Sequence, residues 1–96
     1  MLSLQEIITA TGGHCENMQE LIFTGITTDS RIESSGELFV ALCGERFDGH
    51  AYCKMALEHG AAAVLVSKPV PELPYETVII TVEDTLLAYQ QIAHAY

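Results

Sequence analysis

The sequence predicts an α/β domain in which helices pack on a small mixed or parallel sheet. Two continuous apolar runs of strand length, Leu38-Phe39-Val40-Ala41-Leu42 and Ala61-Ala62-Ala63-Val64-Leu65-Val66, have the pattern of strands covered on both faces. Between them lie a polar loop and a stretch of helical periodicity, and a strand, helix and strand joined by short links form a right-handed parallel crossover. With 49% apolar residues in 96, the chain can build one compact core but not two.

The elements follow in order. Ser3-Leu4-Gln5-Glu6 reads as a capping box: the Ser3 hydroxyl accepts from the amide three residues on, and Glu6 reaches back to the Ser3 amide. Leu4, Ile7 and Ile8 continue as a helical stripe that Gly12-Gly13 ends. A short strand includes Leu21, Ile22 and Phe23, with an extended continuation through Ile26. Ser34-Ser35-Gly36 is a turn. After the first apolar run, Gly44 to Gly49 forms a polar loop, and Asp48 can cap a helix over residues 50–59. That helix turns Tyr52, Cys53, Ala56 and Leu57 inward and Lys54 and Glu58 to solvent, and Gly60 stops it. Pro69, Pro71 and Pro74 stiffen a surface loop. Residues 77–82 form a further strand. Thr81 or Asp84 caps a final helix in which Leu86, Tyr89, Ala93 and Tyr96 repeat at helical spacing toward the sheet. The pattern is still in register at Tyr96, so the chain is expected to continue there or hand over to another domain.

Charge and cysteine usage narrow the function. Thirteen acidic residues face 4 basic ones, a net charge of −9, so the surface repels nucleic acid. The longest apolar run, residues 61–66, is far below the roughly 20 residues of a spanning helix. Gln5 and Glu6 with no early Lys or Arg do not read as a secretory signal, so membrane insertion is not expected and a cytoplasmic location is. Cys15, Cys43 and Cys53 lack C-x-x-C spacing. Cys43 and Cys53 fall in apolar stretches and read as reduced core thiols, and His14, His50, His59 and His94 are too scattered for a zinc site.

Signatures of nucleotide triphosphate chemistry and of hydrolysis are missing from the sequence. It has no G-x-x-x-x-G-K-[ST], H-E-x-x-H or G-x-S-x-G, and no G-x-G-x-x-G after the first strand. Two loops remain as candidates, and both arginines lie in them. In Thr27-Thr28-Asp29-Ser30-Arg31, hydroxyls and a guanidinium suit phosphate oxygens or a base edge. The alternative is a plain turn in which Asp29 bonds its own backbone and Arg31 pairs with Glu33. In Gly44-Glu45-Arg46-Phe47-Asp48-Gly49-His50, a loop follows a buried parallel strand, where open α/β sheets bind ligands. The following helix would offer amides to an anion, and Phe47 could lie against a base or ribose. The alternative puts Phe47 in the core and pairs Arg46 with Asp48.

Thr28-Asp29-Ser30-Arg31, then Gly36-Glu37-Leu38-Phe39-Val40-Ala41-Leu42, then Gly44-Glu45-Arg46-Phe47-Asp48-Gly49-His50, then Gly60-Ala61-Ala62-Ala63 resemble, in order and spacing, the first domain of the Mur ligases of MurE and MurF type. The string Glu45-Arg46-Phe47-Asp48-Gly49-His50 is closer to the MurF branch. The resemblance implies that residues 1–96 are an N-terminal, UDP-binding domain, with the ATP-binding central domain and the C-terminal domain outside this chain. It implies a peptidoglycan-precursor ligase that adds D-Ala-D-Ala to UDP-MurNAc-tripeptide, with ATP and Mg as cofactors of the whole enzyme and none held by this segment. By the same resemblance, Ser30 with Thr28 and Arg31 contacts the nucleotide-sugar, and Glu45, Arg46 and Phe47 line the uridine pocket. A MurE-type ligase adding a diamino acid to the dipeptide, or a stand-alone α/β binding module, are the other readings. No residue of the chain is expected to be catalytic or to bind metal.

Overall fold

A computed structural model describes residues 2–15 and 17–95. The main sheet has four parallel strands, β3 (Ile26–Thr27), β4 (Leu38–Val40), β5 (Ala63–Val66) and β6 (Ile79–Thr81), in that spatial order. Their register pairs Ile26 with Leu38, Phe39 with Val64, and Leu65 with Ile80. A separate antiparallel pair joins β1 (Leu2–Ser3) to β2 (Ile22–Phe23).

Every residue of β4 and β5 is buried, because both faces of the sheet are covered. On one face α1 (Leu4–Thr11) and α3 (Thr85–Ala95) pack Leu4, Ile7, Ala88 and Ile92 against Leu38, Val40, Leu65 and Ile80. On the other, α2 (Cys53–Glu58) packs Cys53 and Ala56 against Phe39, Val64 and Val66. Each such aliphatic or aromatic side chain contributes about 1.5–3 kcal/mol when fully buried. Strict alternation of the two faces along β4 and β5 explains why neither strand tolerates a polar residue.

Local chemistry sets the element boundaries. The capping box forms as expected: Glu6 N donates to Ser3 Oγ at 3.1 Å, and Ser3 N donates to Glu6 Oε1 at 2.9 Å. Gly12 ends α1 in the left-handed conformation, its N–H bonded to the Ile8 carbonyl at 2.8 Å. The expected continuation of the strand from Leu21 to Ile26 does not occur as one element. The chain leaves one sheet for the other at Thr24 and Gly25, where Thr24 N donates to the Gly36 carbonyl and Leu38 N to that of Gly25. The helix expected over 50–59 opens as a 3-10 turn (Gly49–Tyr52) before becoming α2 at Cys53.

The final helix turns inward a different face from the one its apolar spacing predicts. Thr85, Ala88 and Ile92 are buried and Tyr89 is half-buried, whereas Leu86 and Ala93 are exposed. Tyr96 lies outside the described residues. Asp84, rather than Thr81, is the cap: its Oδ1 accepts from Leu86 N at 3.0 Å and Leu87 N at 3.1 Å. This starting phase turns Leu86 and Leu87 outward. Cys43 also departs from expectation. It is exposed, because β4 ends at Val40 and the chain turns away from the core, while Cys15 and Cys53 are buried as free thiols. Burial pushes the Cys53 thiol up to about 12, which leaves it protonated and unreactive.

Candidate functional site

Parallel pairing of β3, β4 and β5 brings the loops that leave them to one edge of the sheet. The first loop follows β3. Asp29 Oδ1 accepts from the Arg31 backbone N–H at 2.9 Å and from Arg31 Nε at 3.0 Å, and Asp29 Oδ2 accepts from Arg31 Nη2 at 3.0 Å. Asp29 therefore both closes the turn and holds the guanidinium in a bidentate pair, where the sequence had suggested Glu33 as the partner. The Arg31 hydrogen bonds lower the Asp29 carboxyl to about 2. Such a depressed carboxylate favours the folded loop above its unfolded value near 3.8, and the benefit is lost as pH falls through about 2. In Arg31→Gln, which keeps the backbone amide bond to Asp29, the Asp29 carboxyl resonance should titrate between about 2 and the ordinary value near 3.8. A midpoint still near 2 would assign the depression to the turn alone.

Ser30 faces the other way. It is 7% exposed, among the described residues its Oγ donates only to Met55 Sδ at 3.7 Å, and its carbonyl accepts from His59 Nδ1–H at 2.7 Å. A sulfur acceptor is weak, so the Ser30 hydroxyl can turn to a better oxygen at little cost. Thr28 is half-buried beside it.

The second loop follows β4 and is closed at its neck. Cys43 and Asp48 form an antiparallel bridge, Gly44 N donates to the Phe47 carbonyl at 2.7 Å, and Gly49 N donates to the Leu42 carbonyl at 2.7 Å. A Cβ on Gly49 would stand 2.8 Å from the Leu42 carbonyl oxygen, so only glycine permits this approach. The tip, Glu45, Arg46 and Phe47, is exposed. Phe47 does not enter the core. Its ring stacks on Tyr52 with centroids 5.6 Å apart and planes at 8°. Arg46 has no ion-pair partner among the described residues, because Asp48 is already occupied. Asp48 accepts from His50 N at 3.0 Å and His50 Nδ1–H at 2.7 Å, and its other oxygen pairs with Lys68. Lys68 first, then the His50 amide and ring, hold the Asp48 carboxyl well below the usual range.

This cap uses the first amides of the turn. His50 N goes to the Asp48 side chain and Ala51 N to its carbonyl. The expected anion site at a helix N-terminus is therefore not available.

Helix α2 and its flanks connect the two loops. Tyr52, Met55 and His59, spaced i, i+3 and i+7, lie along one side of a helix. They touch Phe47, the Ser30 hydroxyl and the Ser30 carbonyl respectively. The structure thus brings Ser30 and Phe47 onto one helical surface, with Thr28, Glu45 and Arg46 beside them in sequence. No hydrogen bond or ion pair joins the two loops directly among the described residues. Sequence reasoning missed Tyr52, Met55, His59 and Lys68. The i, i+3, i+7 spacing was a usable signal for the first three, whereas Lys68 lies 20 residues from Asp48 and left none.

A pocket of about 750 Å³ lies elsewhere, lined by Pro69, Pro71, Tyr75 and Thr77 together with Ile79 and Thr81 of β6. None of the six candidate residues lines it. No group of three His, Cys, Asp or Glu side chains could hold a metal among the described residues, and no helix among them is long and apolar enough to cross a membrane.

Residues 22–96 match the family model described as "Mur ligase family, catalytic domain". The chain belongs to the Mur ligase family. It is 45% identical over 78 residues to the UDP-N-acetylmuramoyl-tripeptide–D-alanyl-D-alanine ligase of Bacillus subtilis, covering 81% of this chain and 17% of that protein. To the UDP-N-acetylmuramoyl-L-alanyl-D-glutamate–2,6-diaminopimelate ligase of Oceanobacillus iheyensis it is 39% identical over 84 residues, covering 88% of this chain and 16% of that protein. Among solved structures, MurF from Acinetobacter baumannii superposes with a TM-score of 0.80 at 34% identity, over 94% of this chain and 20% of that one. The fold is that of the MurF N-terminal domain, and the chain spans about a sixth of the length of the Bacillus subtilis ligase.

Proposed function

We propose that this Mur ligase domain anchors the UDP end of a UDP-MurNAc-peptide for an ATP-dependent ligase that adds D-Ala-D-Ala to UDP-MurNAc-tripeptide. The observation that carries the proposal is the stripe Tyr52, Met55 and His59, which supports the loops after β3 and β4 from one helix side. Ser30 donates to a diphosphate or ribose oxygen, with Thr28 beside it. Arg46 supplies the charge, and Phe47, backed by Tyr52, offers a flat apolar face to the uracil. Glu45 borders the same surface. Arg31 contributes less than Arg46, because Asp29 already neutralises it. The relatives favour D-Ala-D-Ala over a diamino acid as the added group, since two D-alanyl-D-alanine ligases reach 45% and 47% identity against 43% for the diaminopimelate ligase of Aquifex aeolicus.

The chemistry belongs to other parts of such an enzyme. The sequence has no phosphate-binding loop, so ATP and magnesium are assigned to those parts as well. What this domain supplies is binding energy remote from the reacting carboxylate, which positions that group on neighbouring domains. The work is expected to take place in the cytoplasm.

Given ATP, magnesium, the UDP-linked tripeptide and D-Ala-D-Ala, the purified 96-residue chain should bind the UDP-linked substrate and release no ADP. Turnover by this chain alone would overturn the assignment of an anchoring role.

A further inference from the structure

Asp48 is two residues from Arg46, which on the reading above supplies the charge that meets a UDP ligand. A bare carboxylate there would harm the site twice, by capturing the Arg46 guanidinium and by repelling the ligand. In the structure Asp48 is paired instead with His50 and Lys68. His50, only 4% exposed, donates Nδ1–H to Asp48 Oδ1, and its Nε2 accepts the Ser67 backbone N–H at 2.9 Å. An amide can only donate, so Nε2 carries a lone pair and the ring is neutral with its proton on Nδ1. Lys68, the next residue, supplies the countercharge to Asp48 Oδ2. The chain leaving β5 thus clasps the base of the β4 loop through two residues in a row.

We propose that the Lys68–Asp48–His50 clasp is a positioning device that keeps Arg46 unpaired and available to phosphate, by occupying the carboxylate that would otherwise take it. The proposal rests on the UDP-site reading. Lys68 acts through Asp48 and does not touch the ligand. It is half exposed, so its replacement leaves the core intact.

The test is a double-mutant cycle, read by calorimetric titration with UDP and with melting temperatures measured alongside. Lys68→Met releases Asp48 to pair with Arg46 and should weaken UDP binding about tenfold, the scale of losing one charge-assisted contact. Lys68→Gln should do the same. Adding Asp48→Asn to Lys68→Met keeps the acceptor for the His50 amide but removes the charge that captures Arg46. Affinity should return to within about twofold of the parent, the spread expected when the interaction has been removed cleanly. Arg46→Ala is the control for the site itself. If Arg46→Ala weakens binding while both Lys68 variants leave it unchanged, the clasp has no such role and the site stands. If the double variant is as weak as Lys68→Met, Lys68 acts on the ligand or the fold directly and the proposal is overturned. If Arg46→Ala changes nothing, the UDP site is misplaced and the clasp proposal falls with it.

Discussion

Gly60→Ala should destabilise the protein more than any single change in the candidate loops, by about 3 kcal/mol or more. Gly60 has φ +108°, a conformation that suits glycine alone, and a Cβ there would stand 2.0 Å from the Ser34 carbonyl oxygen. That oxygen is backbone and cannot swing aside. Ser34 N donates to the His59 carbonyl at 2.8 Å and Gly36 N to that of Gly60 at 3.1 Å, so the clash falls on the seam that holds the loop after β3 against the end of α2. A loss of about 3 kcal/mol lowers the melting temperature of a domain this size by roughly 12–24 °C. The same displacement moves Ser30, whose carbonyl is held by His59, so affinity for a UDP-linked ligand should fall as well. A melting temperature within a few degrees of the parent would show that the seam yields easily.

Arg46→Ala should weaken binding of the UDP-linked substrate by about 1.5–3 kcal/mol, tenfold or more, the range for a hydrogen bond to a charged group. Ser30→Ala removes a neutral donor and should cost about 0.5–1.5 kcal/mol. Only Arg46→Ala should flatten the dependence of affinity on salt, because only it removes a charge from an otherwise acidic domain. The absence of an ion-pair partner for Arg46 among the described residues sharpens the contrast with Arg31. Arg31 is already paired with Asp29, so Arg31→Ala should change affinity less than Arg46→Ala. Equal affinities for parent, Ser30→Ala and Arg46→Ala, with melting temperatures unchanged, would remove both loops from the site.

Signals that need only nearby residues were legible in the sequence. The buried strands showed as unbroken apolar runs, because β4 and β5 are covered on both faces. The capping box and the Gly12 stop depend on contacts no more than four residues apart. The two candidate loops leave the same end of the sheet because β3 and β4 are parallel neighbours.

What failed depended on distant partners or on angular phase. The α3 stripe was one residue out because Thr85 is polar yet buried, while Leu86 and Leu87 are apolar yet exposed. A pattern of hydrophobicity cannot report the rotation that the Asp84 cap imposes. Pairing Arg46 with Asp48 was reasonable from spacing alone, and Lys68 displaced it from the far side of α2 and β5. Phe47 was ambiguous for a related reason: its partner, Tyr52, had been assigned to the inward face of the helix but stands 39% exposed.

Where UDP binds is measured most directly by a chemical-shift titration of the isotope-labelled chain with UDP. The largest amide shifts should cluster at Thr28, Ser30, Glu45, Arg46 and Phe47, with smaller ones at Tyr52 and Met55, and α1 and α3 should stay unchanged. Shifts concentrated instead around Pro69, Tyr75 and Thr77, in the pocket lined in part by β6, would contradict the proposed site, as would no saturable shift at all.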